Sequence, residues 1–153
     1  MLYNNKDSFD IINLNKEFCW GIIYGNLAWK GCHKYSEVCK FCYIHKGNLK
    51  RSIDTNKIIK SNNFLSPLAK NKKGEYKIKS GQIVYLCFSS DFLIEESDEW
   101  RNKCWDIIRE RTDLHFIFLT KRIERFMKCI PNDLVQWIRE CNCRMYYRKS
   151  RQS

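Results

Sequence analysis

The sequence predicts an α/β fold on a short parallel sheet, from three observations. Apolar runs rich in β-branched and aromatic residues occur at 82–88 (QIVYLCF) and 115–120 (HFIFLT), as in strands buried on both faces. Each run is followed by residues at helical spacing, the alternation of βα units. A polar cluster stands just past each predicted strand, where parallel sheets hold their ligands.

The first strand is expected within 19–29, leading into the cysteine-rich loop GCHKYSEVCKFCY (31–43). The segment 47–60 shows no readable period, and the lysine-rich run LAKNKKGEYKIKSG (68–81) reads as a solvated loop or hairpin. After the strand at 82–88 comes Ser89-Ser90-Asp91. Ser97 then stands where a helix cap is expected, with Asp98 and Glu99 in the first turn, where the helix dipole favours acids. Trp100, Cys104, Ile107, Ile108 and Arg111 follow at helical spacing as a core-facing stripe, with only the last polar. The strand at 115–120 leads to Lys121-Arg122 and a short helix with Ile123, Phe126 and Met127 on one face, stopped by Pro131. His115 reads as a core or edge histidine. The cysteine loop, Ser90-Asp91 and Lys121 are therefore expected at one rim of the sheet.

At 153 residues the chain suffices for one small domain. The N-terminus has no apolar signal core, and the longest apolar run, around FCWGIIYGNLAW, falls short of the roughly 20 residues of a membrane helix. The expectation is a cytoplasmic protein that does not engage membranes. The net charge of +11 invites a nucleic-acid reading. Arg139, Arg144, Arg148, Lys149 and Arg151 lie in the tail, however, and the remaining cations are spread along the chain.

Nine cysteines, an odd number, do not suit disulfides in a reducing compartment. Cys19, Cys87 and Cys104 lie in apolar or amphipathic runs and read as small buried hydrophobes. Cys32, Cys39 and Cys42 have polar neighbours and the spacing C-x6-C-x2-C, which points to metal. Three thiolates can hold a [4Fe–4S] cluster with one iron open, or zinc with His33 or His45 as a fourth ligand. Phe41 and Tyr43 flank the last cysteine, as a lid over a cluster or as ordinary loop packing.

The stretches WKGCHKYSEVCKFCY, GEYKIKSGQIVYLCFSSDFLIEESDEWR, RERTDLHFIFLTKRIERF and CIPND resemble a bacterial and phage family of radical-SAM-like proteins. Its phage members are known as the gene-product thirty-seven and sixty-eight proteins. The resemblance covers about 29–133 through G-C-x-K-x-S, C-x-x-C-Y, S-D-F and L-T-K-R. It implies a partial (β/α) barrel of radical-SAM type, here ending after about three βα units. It further implies a [4Fe–4S] cluster on Cys32, Cys39 and Cys42, with S-adenosylmethionine at the open iron and an electron donor; by position alone, Tyr43, Ser90, Asp91 and Lys121 are the residues expected beside that cofactor. The family's tryptophan-asparagine-proline run is missing apart from Trp29. Val38 replaces a glycine before the second cysteine, which predicts a strained turn.

This reading divides the chain into an N-terminal extension with the first strand (1–28), the radical-SAM-like region (29–133) and a tail (134–153). The tail shows no clear helical or strand period. Read one nucleotide later with permissible codons, WIRECNCRMYYRKSRQS becomes GYENVTVGCTIENQ, which looks like the family's next strand. The tail thus reads as out of frame or disordered, the protein as a truncated, inactive fragment, and deletion of 134–153 as nearly neutral. Two other readings compete: a zinc-stabilised nucleic-acid-binding module with the lysine loop on phosphates, and a plain α/β interaction domain. No catalytic acid–base pair stands out.

Overall fold

The structure is a computed structural model and describes residues 23–24, 27–87 and 89–140. Three strands, β1 (Ile23–Tyr24), β4 (Ile83–Tyr85) and β5 (His115–Ile117), form a parallel sheet in the order β1-β4-β5. Val84 at its centre aligns with Tyr24 on one side and Phe116 on the other. The ladder continues past the named strands through Ala28 N–H to the Leu86 carbonyl at 2.9 Å and Leu86 N–H to the Ile117 carbonyl at 3.0 Å. β2 (Trp29–Lys30) and β3 (Ile59–Lys60) make a separate antiparallel pair. The helices are α1 (Tyr43–Lys50), α2 (Asp98–Glu110), α3 (Phe126–Cys129) and α4 (Asn132–Glu140). The chain is thus mixed α/β.

Ile83 to Cys87 are buried, as are Ile117 and Phe118, while Phe116 and Leu119 are half-buried. The centre of the core is aromatic. Phe92 stacks on Trp29 at 5.4 Å and on Phe118 at 4.2 Å, and meets Trp105 edge-on at 5.3 Å. Both indoles have partners for their N–H, Trp29 at the Asp91 carbonyl and Trp105 at the Cys129 carbonyl, as buried tryptophan requires. Cys87 and Cys104 are buried in this core. Cys19, Cys141 and Cys143 lie outside the described residues.

α2 places Cys104, Ile107 and Ile108 in the core as its stripe predicts, with Trp100 packed at the margin. Arg111, the polar member, is fully buried as well. Its guanidinium donates to the Pro67 and Ile78 carbonyls and to both oxygens of Asp113, and lies over the Tyr76 ring at 3.9 Å. Ser97 sits at the N-cap position but does not cap: its hydroxyl donates to the Ile94 carbonyl and accepts from Arg101. A 3-10 turn at Glu95–Ser97 carries the chain into the helix and redirects the serine inward.

The lysine-rich run is a hairpin, closed by the Lys70–Tyr76 bridge and by Asn71 Oδ1 accepting from Lys73 and Glu75 N–H. Beyond Pro131 the expectation of an irregular tail fails for 134–140, which belong to α4. Leu134 is 4% exposed and joins the hydrophobic core, with Val135 packed against it. Leu134, Val135, Trp137 and Ile138 stand at helical spacing, so the helical period is present in the sequence and the expectation of an irregular tail overlooks it. Deletion from 134 onward therefore removes core. Residues 141–153 lie outside the described part. Of the face expected on 123–127, Phe126 is buried and Ile123 partly so, but Met127 points to solvent. The backbone there begins as a 3-10 turn (Ile123–Arg125), which shifts the register of that face.

Candidate functional site

The loops following β1, β4 and β5 meet at one rim of the sheet, as predicted. Gly31 bridges Ser90 in parallel register, and the Ser90 hydroxyl donates to the Gly31 carbonyl. Gly31 has φ +89°, and a Cβ there would overlap the Lys57 carbonyl, so the residue before Cys32 must be glycine. Cys32 N–H then donates to the Thr55 carbonyl at 2.8 Å, which fixes the start of the cysteine loop.

Glu37–Phe41 form a 3-10 turn that carries Cys39, and Cys42 occupies the N-cap position of α1. Val38 lies within this turn, and among the described residues Ser52 is the one non-glycine with positive φ. The strain expected from replacing glycine at 38 does not arise, because a 3-10 backbone has ordinary φ.

Asp91 organises the rim. It is 3% exposed, and both carboxylate oxygens are occupied within the chain. Oδ1 accepts from Leu93 N–H at 2.9 Å and the Thr120 hydroxyl at 2.7 Å. Oδ2 accepts from Lys121 N–H at 2.8 Å and Arg122 Nη1 at 3.0 Å. The carboxylate thus joins the ends of β4 and β5 and neutralises a buried arginine. Arg122 in turn lies over the Tyr35 ring at 4.7 Å, and the Tyr35 hydroxyl donates to Glu124, which clamps the cysteine loop to the segment after β5. Arg101 donates to the Phe92 and Ile94 carbonyls, and Arg125 to the Leu93 carbonyl and Asp98, fixing the loop after β4.

The two inner sulfurs have opposite environments. Cys39 is buried, which opposes ionisation. It nonetheless accepts from Tyr35 N–H at 3.4 Å, lies 3.8 Å from the Ser36 hydroxyl and 3.1 Å from Lys121 Nζ, and its thiol is brought down to about 7. Burial, and then the charge of Asp91, pushes the Cys32 thiol up to about 11, with Arg122 opposing. Cys32 spends its proton on the His33 carbonyl at 3.3 Å.

Cys32, Cys39, Ser90, Asp91 and Lys121 are thus brought together at one rim. Tyr43 is 60% exposed on α1, directly after the half-buried Cys42. His33 pairs with Glu96. His45 is held below the usual imidazole range by burial and then by Lys34, Lys121 and His33. Among the described residues no group of three or more His, Cys, Asp or Glu side chains is arranged to hold a metal ion. The donor set suits a thiophilic metal, but the three sulfurs do not stand converged on one point.

A family model matches residues 24–145. The chain belongs to that family, described as a protein of unknown function, DUF5131. Neither the curated proteins nor the solved structures include a match to this DUF5131 chain. The family match runs twelve residues beyond Asp133, into the part read as out of frame. Within the DUF5131 region, the roles of Thr120, Arg101 and Arg111 were missed by sequence reasoning. Arg111 had given a signal, as the one polar member of an apolar stripe. No helix among the described residues is long and apolar enough to cross a membrane.

Proposed function

We propose that this DUF5131 protein is a radical-SAM-like iron–sulfur protein, related to the phage gene-product thirty-seven and sixty-eight proteins and acting in the cytoplasm. Its sheet is read as the first three strands of a partial (β/α) barrel. The observation that carries the proposal is the seating of a three-cysteine loop at the carboxyl rim of a parallel sheet, with Lys121 Nζ 3.1 Å from Cys39 Sγ. A cation on a buried sulfur favours the thiolate that metals require.

Cys32, Cys39 and Cys42 would hold the cluster, and three thiolates leave one iron of a [4Fe–4S] cube for S-adenosylmethionine. Such a cluster supplies one-electron reductive cleavage of that cofactor when a partner donates the electron. Lys121 and Arg122 add positive charge beside the sulfurs, an outer-shell influence on ligand basicity and potential. Asp91 shapes the rim: its oxygens are already shared among four donors within the chain.

The test is anaerobic reconstitution with iron and sulfide. About four irons per chain are expected, lost in Cys32→Ala, Cys39→Ala and Cys42→Ala and retained in Cys87→Ala and Cys104→Ala. Binding of zinc alone, at one equivalent, would overturn the proposal. His45, held below the usual imidazole range by burial, favours that second reading, since histidine ligates zinc in its neutral form. The protein would then be a zinc-stabilised module.

A further inference from the structure

Lys121 reaches across the rim to the cysteine loop, and its Nζ stands 3.1 Å from Cys39 Sγ, a contact between residues 82 apart in the chain. Both ends are anchored. Lys121 N–H donates to Asp91 Oδ2 at 2.8 Å, and Cys39 N–H donates to the Ser36 carbonyl at 2.9 Å. Tyr35 N–H donates to the sulfur itself at 3.4 Å. The flexible lysine stem can supply the remaining approach of nitrogen to sulfur.

Among the described residues no other sulfur has a lysine amine at hydrogen-bond distance. Cys129 meets Arg101 Nη1 at 3.5 Å, but a guanidinium stays protonated and is a poor nucleophile. Cys32 directs its thiol to the His33 carbonyl.

We propose that Cys39 and Lys121 form a reversible covalent link, a sulfenamide, when the metal-free chain meets hydrogen peroxide. The N–H donors on the sulfur stabilise its thiolate, the form that attacks peroxide. The sulfur takes one peroxide oxygen to become a sulfenic acid, and the other oxygen leaves as hydroxide. The Lys121 amine then attacks the sulfenic sulfur. An S–N bond forms, the S–O bond breaks, and the departing hydroxyl leaves as water with a proton from the nitrogen. In sum, thiol, amine and one hydrogen peroxide give sulfenamide and two waters, the sulfur losing two electrons and the peroxide gaining them. Cys39 is 3% exposed, so the neighbouring amine captures the sulfenic acid before a bulky thiol from solution can reach it. A dithiol reductant cleaves the S–N bond and returns both side chains. The link itself needs no metal. Its consequence rests on the cluster reading above: with one of three thiolates consumed, the cluster assembles only under reducing conditions.

The test is peptide mapping by mass spectrometry of the reduced, metal-free full chain after treatment with hydrogen peroxide. Remaining thiols are alkylated, and the chain is cut with trypsin without reduction. Cleavage after Lys34 and Lys40 separates Cys39 from Cys32 and Cys42, and a blocked Lys121 extends its own peptide to Arg122. The expected product joins 35–40 to 112–122 with the loss of two hydrogens. It should vanish after dithiothreitol and be absent from Lys121→Arg, which keeps the positive charge but lacks the amine. A disulfide from 35–40 to the Cys32 peptide overturns the proposal, as does Cys39 recovered alkylated or as a sulfinic acid. Loss of two hydrogens within 35–40 alone also overturns it, since that marks capture by the Tyr35 amide. Full iron loading of the linked chain overturns its role in assembly. If the link forms but the untreated chain takes up no iron, the link stands and the cluster reading falls.

Discussion

Replacing Asp91 by asparagine should destabilise the protein out of proportion to a change of two atoms. The amide keeps one acceptor for Leu93 N–H and the Thr120 hydroxyl but turns an NH2 toward Lys121 N–H and Arg122 Nη1, which sat 2.8 and 3.0 Å from the lost oxygen. Arg122 then stays buried without its counter-charge. The nearest remaining carboxylate, Glu95, is 3.8 Å away and largely exposed. Both partners of the original pair are under a tenth exposed, so solvent does little to soften the loss. Breaking a buried pair by removing one partner costs about 3–5 kcal/mol, a large share of the roughly 5–15 kcal/mol that holds a typical domain together. In urea, followed by fluorescence of the buried Trp29 and Trp105, the midpoint should fall by roughly 2 M. Asp91→Ala combined with Arg122→Met should cost clearly less than the sum of the singles, because no charge is then stranded. A loss below about 1 kcal/mol for Asp91→Asn, or single-variant effects that add within about 0.5 kcal/mol, would refute the assignment of Asp91 as the rim's electrostatic joint.

Three further outcomes follow from the same geometry. Leu134→Ala should cost about 2–5 kcal/mol in urea unfolding, since the side chain is 4% exposed within the core; a loss below about 1 kcal/mol would restore the view of 134 onward as dispensable. Gly31→Ala should sharply reduce soluble folded protein, because φ is +89° and the new methyl meets the Lys57 carbonyl; a wild-type unfolding midpoint would show the bridge to Ser90 to be misdescribed. In the metal-free protein, Cys39 at about 7 lies below the ordinary thiol value of 9.0, so its stabilising contribution is full above 9.0 and is lost as pH falls through about 7. Cys32 at about 11 lies above that value, so its contribution is full below 9.0 and is lost as pH rises through about 11. Their joint effect peaks near pH 9 and should disappear in Cys32→Ser/Cys39→Ser, measured as the urea midpoint against pH.

Local pattern by itself determined the strands β4 and β5 and the helix after each, while α1, the β2–β3 pair and α4 were not read from it. The runs at 82–88 and 115–120 could be read as buried strands because continuous β-branched and aromatic composition suits a parallel sheet covered on both faces. The rim position of the cysteine loop, Ser90-Asp91 and Lys121 followed from where those strands end. The hairpin at 70–76 was legible from its composition, and the core stripe of α2 from its period. Only the tertiary structure decided how the charges are shared. Asp91 was visible as a rim residue, but its commitment to Thr120, Lys121 and Arg122 depends on a segment about thirty residues away brought alongside by the sheet. The contact between Lys121 and Cys39 likewise spans 82 residues. Met127 turned outward because a 3-10 turn precedes α3, and Leu134 became core because α4 found a surface to pack on. Periodicity reports which face of an element is apolar. Which buried charge meets which, and whether a short helix forms at all, depends on neighbours distant in the chain, and folding alone brings those together.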